Sequence, residues 1–293
     1  MCFTRRAKSR SFGSRMNLVI TGTSTGIGRA LAERWLARGD HIWGLARSDQ
    51  SDFVTRYDGS FQATRCDVTE WPQVARAASA IAAAWPHIDA LVTCAGLHGA
   101  IGRTVTADPS RWSAAIRTNL DGTFHALRAF HPLLARAPRR AKIVCFSGGG
   151  ATSARPNFSA YAAAKTGVVR LIETVAAEER DRPLDINVIA PGAIDTRLTD
   201  EILSLGSDVV GPAEYIAAQS LKASDGSSLV KALDLVEWLL SPESDGISGR
   251  LLSAQWDSWS ALAKHKGRLA PSDIYTLRRI VPEDRGLNPG DFL

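Results

Sequence analysis

The sequence predicts an α/β fold: a single doubly wound parallel sheet of seven strands with helices on both faces, followed by a C-terminal extension. Two observations carry this. Short apolar or β-branched runs alternate with longer segments of helical periodicity from residue 17 to residue 253, and a glycine-rich turn joins the first run directly to the first helical segment. Strands are expected at 18–21, 41–45, 61–65, 90–93, 143–147, 185–189 and 250–253. Helices are expected at 27–38, 71–84, 111–136, 159–180 and 228–240, where apolar residues recur three and four positions apart. The alternation breaks once, over 196–227, a polar and partly helical stretch containing Gly206 and Gly211. Placed after a late strand, that stretch is expected to form a mobile lid over a ligand.

The chain has 293 residues, 45% of them hydrophobic and 22% charged, enough for one large domain with a sizeable core. Three parts are expected: a basic disordered tail at 1–15, a binding and catalytic domain at 16–254, and an extension at 255–293 that packs on the domain or on a neighbouring subunit. The net charge of +5 comes from Arg5, Arg6, Lys8, Arg10 and Arg15, and the remainder balances at 30 basic and 30 acidic side chains. That balance argues against the basic groove of a nucleic-acid binder. Arg5-Arg6 lacks the apolar run that export needs, and no stretch approaches the ~18 apolar residues of a membrane span. A cytoplasmic protein without a membrane partner is expected. Cys2, Cys66, Cys94 and Cys145 show no metal-ligand spacing among themselves or with the six histidines, so reduced thiols and no metal are expected.

The first strand runs into Thr21-Gly22-Thr23-Ser24-Thr25-Gly26-Ile27-Gly28. Glycines at that turn let the backbone approach a pyrophosphate at the positive end of the following helix. Further along, Tyr161 and Lys165 lie four residues apart, on one face of a helix. A cation there would favour phenolate and lower the tyrosine pKa from about 10 toward the working pH, which suits Tyr161 to act as a general acid and base.

The spacing TGxxxGxG resembles the glycine motif of the classical short-chain dehydrogenase/reductase family, built on a Rossmann-type sheet. The resemblance recurs in order: Asp67-Val68, Thr93-Cys94-Ala95-Gly96, Asn119, Tyr161-Ala-Ala-Ala-Lys165, and Pro191-Gly192 with Thr196. It implies an oxidoreductase that interconverts a carbonyl and a secondary alcohol by hydride transfer. It also implies roles for single residues. Asn119 would support a proton relay, and Lys165 would hold the nicotinamide ribose. Asp67 would accept from the adenine amino group, with Val68 beside it. Ser24, Thr25 and Ile27 join the three glycines as cofactor contacts, as do Ala95, Gly96, Pro191, Gly192, Ile194 and Thr196.

Two departures from the family pattern stand out. The serine that usually lies thirteen residues before the tyrosine is Gly148 here; Ser147 is expected to supply the hydroxyl through the flexible Gly148-Gly149-Gly150 run, with Thr152, Ser153 or a backbone N–H as the alternative donors. Thr93-Cys94 replaces the usual pair of asparagines. At the end of the second strand, Ala46-Arg47 offers a cation where an acid would select NAD, so NADP(H) is preferred and NAD(H) is the second choice. In the extension, Trp256 or Trp259 is expected to line the substrate cleft. The resemblance implies a small-molecule carbonyl or alcohol as the partner and a homo-oligomer formed through helices 111–136 and 159–180, a homotetramer or, where the extension intervenes, a homodimer. The alternative reading is a catalytically weak dinucleotide-binding sensor or scaffold, suggested by Gly148 and Cys94.

Overall fold

The computed structural model describes residues 15–288 and 290; the tail expected over 1–15 lies, but for Arg15, outside the described residues. The strands are β1 (Asn17–Thr21), β2 (His41–Ala46), β3 (Phe61–Arg65), β4 (Ala90–Thr93), β5 (Ala141–Phe146), β6 (Leu184–Ala190) and β7 (Leu251–Ser253). They pair in the order β3-β2-β1-β4-β5-β6-β7, and every pairing is parallel. The helices are α1 (Gly26–Leu36), α2 (Ser51–Arg56), α3 (Trp71–Ala84), α4 (Pro109–Ile116), α5 (Gly122–Leu134), α6 (Ser159–Glu178), α7 (Arg197–Leu205), α8 (Ser207–Val210), α9 (Pro212–Lys222), α10 (Ser227–Leu239) and α11 (Lys266–Leu269).

The central strands are buried on both faces, which is why they read as continuous apolar runs. Alternate residues feed two cores. Val19, Leu91, Ile143 and Cys145 pack beneath α3, α5 and α6 with Ile81, Phe130 and Ile172. Leu18, Ile20, Val92 and Val144 face the opposite layer, where α1 and α10 contribute Leu31, Trp35, Leu235 and Leu239.

The helix expected at 111–136 is two helices. The first, α4, opens at Pro109, where the Asp108 carboxylate accepts the Arg111 N–H at 2.8 Å. A π-helical turn over Arg117–Asp121 then leads into α5 and carries Asn119. Apolar periodicity conceals such a turn because the register slips by only one residue. The short α2 was not expected from its polar sequence; Phe53 anchors it, its ring 4.4 Å from Phe61. The stretch 196–227 forms α7, α8 and α9.

Beyond β7 the extension folds back on the sheet edge. The Leu251 N–H donates to the Tyr275 carbonyl at 2.8 Å, covering backbone that β7 would otherwise leave open. The buried Arg250 guanidinium donates to the carbonyls of Leu269, Ala270, Ser272 and Ile274 at 2.7 to 3.2 Å. Leu277 reaches α6, where its N–H meets the Glu173 carboxylate at 2.6 Å. Arg250→Met strips four carbonyls of their donor; one such charged hydrogen bond is worth about 1.5–3 kcal/mol net, and four made by a single group do not add. A loss of about 3 kcal/mol in urea unfolding is expected, with proteolysis beginning near residues 269–275.

Candidate active site

The sheet order reverses between β1 and β4, and the loops leaving their carboxyl ends part there to form a crevice. Gly22, at φ +77°, makes the turn out of β1; a Cβ on it would lie 2.8 Å from the Ala95 nitrogen, so only glycine lets the two loops touch. The Ala95 N–H donates to Thr21 Oγ1 at 3.2 Å and closes the contact. Across the turn, the side chain of Thr25 makes no cap hydrogen bond to α1. The first N–H groups of this eleven-residue helix are therefore available to an anion. A Cβ on Gly26 would project beside Thr196 Cγ2, at 3.5 Å, so the cradle is shaped by the missing side chain.

The crevice has two lobes that share Ile27, Thr196 and Leu198. Gly22, Ser24, Thr25, Gly26, Gly28, Arg47, Asp67, Val68, Ala95 and Gly96 line the first. Ser147, Tyr161, Pro191, Gly192 and Ile194 line the second. Asn119 and Lys165 line neither; both are buried behind the floor. A Cβ on Gly96 would meet Asn119 Oδ1 at 2.8 Å and Lys165 Nζ at 3.8 Å. In the first lobe Arg47 is exposed and makes no hydrogen bond or ion pair among the described residues. Asp67 Oδ1 accepts from the Thr69 N–H and hydroxyl at 3.0 and 2.9 Å.

The Lys165 ammonium donates to the Phe146 carbonyl at 2.9 Å and stands 5.7 Å from the Tyr161 ring centroid. Burial pushes its pKa down to about 8. The expectation that Lys165 brings the tyrosine pKa down needs correcting. Burial raises the Tyr161 pKa above its usual 10, and the charge that opposes the rise is Arg155, 5.9 Å from the ring. Asn119 donates through Nδ2 to the carbonyls of Leu97 and Ala115, at 2.8 and 2.9 Å, while its buried Oδ1 has no partner.

Gly148 is filled by its neighbour. A Cβ there would lie 2.3 Å from Tyr161 Oη, so the phenol occupies the space that a serine side chain would need. Ser147 is buried on the lobe wall with its Oγ unpartnered, and its N–H is spent on the Ile189 carbonyl at 2.8 Å. Trp256 lines the second lobe and is 88% exposed, whereas Trp259 packs on Trp238 with ring centroids 5.6 Å apart. Of the two tryptophans, only Trp256 stands at the cleft.

Sequence reasoning missed four residues of the second lobe and its surroundings. His98 is buried in the lobe wall, and its Nδ1 lies 3.0 Å from Glu201 on α7. Arg155, in the glycine-rich loop, forms a two-pronged pair with Glu214 on α9, both contacts at 2.7 Å. Partners 103 and 59 residues apart leave no local pattern to read. Among the described residues no group of three His, Cys, Asp or Glu side chains is placed to hold a metal.

Sheet order, glycine turn and crevice together define a class, the doubly wound nucleotide-binding proteins. The family model described as short chain dehydrogenase matches residues 16–204. The chain is 30% identical to D-threitol dehydrogenase of Mycolicibacterium smegmatis, over 74% of this chain and 89% of that one. It is also 30% identical to the 3-oxoacyl-(acyl-carrier-protein) reductase FabG of Salmonella typhimurium, over 75% and 94%. Ligand-free aldohexose dehydrogenase of Thermoplasma acidophilum superposes with a TM-score of 0.69 at 28% identity, covering 82% of this chain and 92% of that one. The chain belongs to the short chain dehydrogenase family, oxidoreductases that bind a nicotinamide dinucleotide.

Two outcomes are expected from this geometry. Gly148→Ser, although it installs the commoner residue, drives a Cβ into Tyr161; with Tyr161 in the role proposed below, kcat should fall at least ~100-fold, and a variant as active as wild type would contradict the packing. Lys165 keeps its proton to about pH 8 folded and 10.5 unfolded. Between those values the unfolded chain binds more protons, so rising pH favours the fold. Wild type should therefore gain stability relative to Lys165→Met from about pH 8 to 10.5, measured by urea unfolding at each pH.

Proposed function

We propose that this protein is an NADP(H)-dependent oxidoreductase that interconverts a carbonyl and a secondary alcohol, with Tyr161 as its general acid and base. One observation carries the reading: Tyr161 opens on a lobe continuous with the glycine-floored lobe, and its hydroxyl makes no hydrogen bond among the described residues. The two relatives, by name a polyol dehydrogenase and an oxoacyl reductase, support a carbonyl–alcohol couple.

The residues present fit a dinucleotide. The open N–H groups of α1 and the Gly22–Gly28 turn would hold a pyrophosphate. The unpaired Arg47 would hold a 2′-phosphate where β2 ends in Ala46 rather than an acid. Asp67 would accept from the adenine amino group, and Lys165 and Thr196 would contact the nicotinamide end. The bound dinucleotide supplies or accepts the hydride.

In reduction, the carbonyl π pair moves onto oxygen and Tyr161 gives its O–H proton there; in oxidation the phenolate takes that proton back. Arg155 favours the phenolate as it forms. Ser147 Oγ, buried and unpartnered, supports a role as second donor to the oxygen. Cys66 and Cys145 are buried free thiols, in keeping with a reducing cytoplasm.

The test is NADPH consumption, with NADH in parallel, against keto-sugars, β-ketoacyl thioesters, cyclic ketones and aldehydes. Tyr161→Phe should lower kcat by about 10²–10⁴-fold, and Arg47→Ala should raise the KM for NADPH about tenfold while leaving NADH unchanged. Tight NADPH binding without turnover would favour the sensor reading instead.

A further inference from the structure

We propose that His98 accepts a hydrogen bond from a substrate hydroxyl on the carbon beside the reacting one, so that the preferred substrates are α-hydroxy ketones and, in the reverse direction, vicinal diols. The inference rests on the oxidoreductase reading and adds a substrate class to it. His98 lies in the wall of the substrate lobe, 3% exposed, with its ring edge-on to Tyr161 at 5.0 Å between centroids. Phe158 stands against the same imidazole at 5.3 Å, so the ring is wedged between two aromatic neighbours.

Glu201 Oε2, 3.0 Å from Nδ1, selects the tautomer. A neutral imidazole facing a carboxylate carries its proton on Nδ1, and Nε2 is left with a lone pair. Nε2 makes no hydrogen bond among the described residues. A carbonyl oxygen has no proton to give, so this nitrogen does not serve the reacting carbonyl. It serves a hydroxyl donor next to it. Neighbouring phenol and imidazole rings suit two oxygens on adjacent carbons, one receiving the Tyr161 proton and the other donating to His98. A substrate without that hydroxyl buries the lone pair unpaired, and sites built to pair with a hydroxyl discriminate strongly against its absence. Glu201 acts through His98 and is a positioning residue, contributed by α7 of the 196–227 segment.

The experiment compares three ketones with NADPH: 2-hydroxycyclohexanone, 2-methoxycyclohexanone and cyclohexanone. The methyl ether keeps the electron withdrawal of the oxygen and removes only its proton. Wild type should show kcat/KM about 10- to 100-fold higher for the hydroxy ketone than for either of the others. His98→Leu should bring the ratio to within about threefold, and His98→Gln, whose amide oxygen still accepts, should keep part of it. Glu201→Ala should lower the ratio with the Kd for NADPH unchanged, a split that a purely structural role does not produce. If His98→Leu does not fold, the wild-type ratio and Glu201→Ala decide the matter. Equal rates for hydroxy and methoxy ketones, or full preference surviving in His98→Leu, overturn the inference and leave the reductase reading standing. Silence on all three ketones with turnover of another carbonyl of the wider panel overturns the inference alone, whereas silence across that whole panel, with NADPH bound, overturns the reductase reading on which it rests.

Discussion

The hydrogen bond from the buried Lys165 ammonium to the Phe146 carbonyl is the contact on which the site geometry depends. A lysine taken fully out of water is costly to keep charged, and the fall of its pKa to about 8 records that cost. What the contact secures is register between α6 and the carboxyl end of β5. Tyr161, one turn earlier on the same face, is then laid over Gly148, two residues beyond the carbonyl that Lys165 grips. Ser147, between them, has its Oγ in the same wall without a partner. A phenol, a cation and a spare hydroxyl are thus placed by one helix-to-strand lock.

The mouth of the cleft is held by charge as well as by a small apolar cluster around Phe158. Arg155 ties the glycine-rich loop to α9 through Glu214, and its guanidinium lies 3.9 Å from the Phe158 ring centroid. Lys222 at the end of α9 reaches back to Asp195 and Asp200, at 2.7 and 2.6 Å, although such exposed pairs contribute little individually. The segment over the second lobe is therefore held both by apolar packing, Ile202, Val210 and Ala218 against Phe158, and by the Arg155–Glu214 pair that ties it to the glycine-rich loop. On the far side, Arg250 gathers the extension onto β7 and leaves Trp256 standing at the cleft.

Much of this was legible in the sequence, for reasons tied to particular residues. Strands buried on both faces must be apolar throughout, so β1, β4 and β5 stand out. Gly22 and Gly26 sit where any side chain would foul a loop or fill the cradle, and that steric demand writes itself as a motif. Tyr161 and Lys165 share a helix face by their spacing, but it was the ordered motifs around them that marked the pair out. The unread parts share a different cause. The π turn at Arg117–Asp121 alters one step of a continuing periodicity, and α2 depends on a single aromatic anchor. His98–Glu201 and Arg155–Glu214 are pairs across the fold, and no window along the chain contains both members. Burial raises the Tyr161 pKa and Arg155 opposes that rise, an influence that helical spacing does not reveal.

The most direct test of the account is a crystal structure of the protein with NADP⁺ bound. The account predicts the pyrophosphate on the Gly22–Gly28 turn, the 2′-phosphate on Arg47, and the nicotinamide at the junction of the lobes, with Tyr161 still packed on Gly148 and Lys165 within reach of the ribose. A dinucleotide lying outside the crevice, or a nicotinamide that points away from Tyr161, would contradict it.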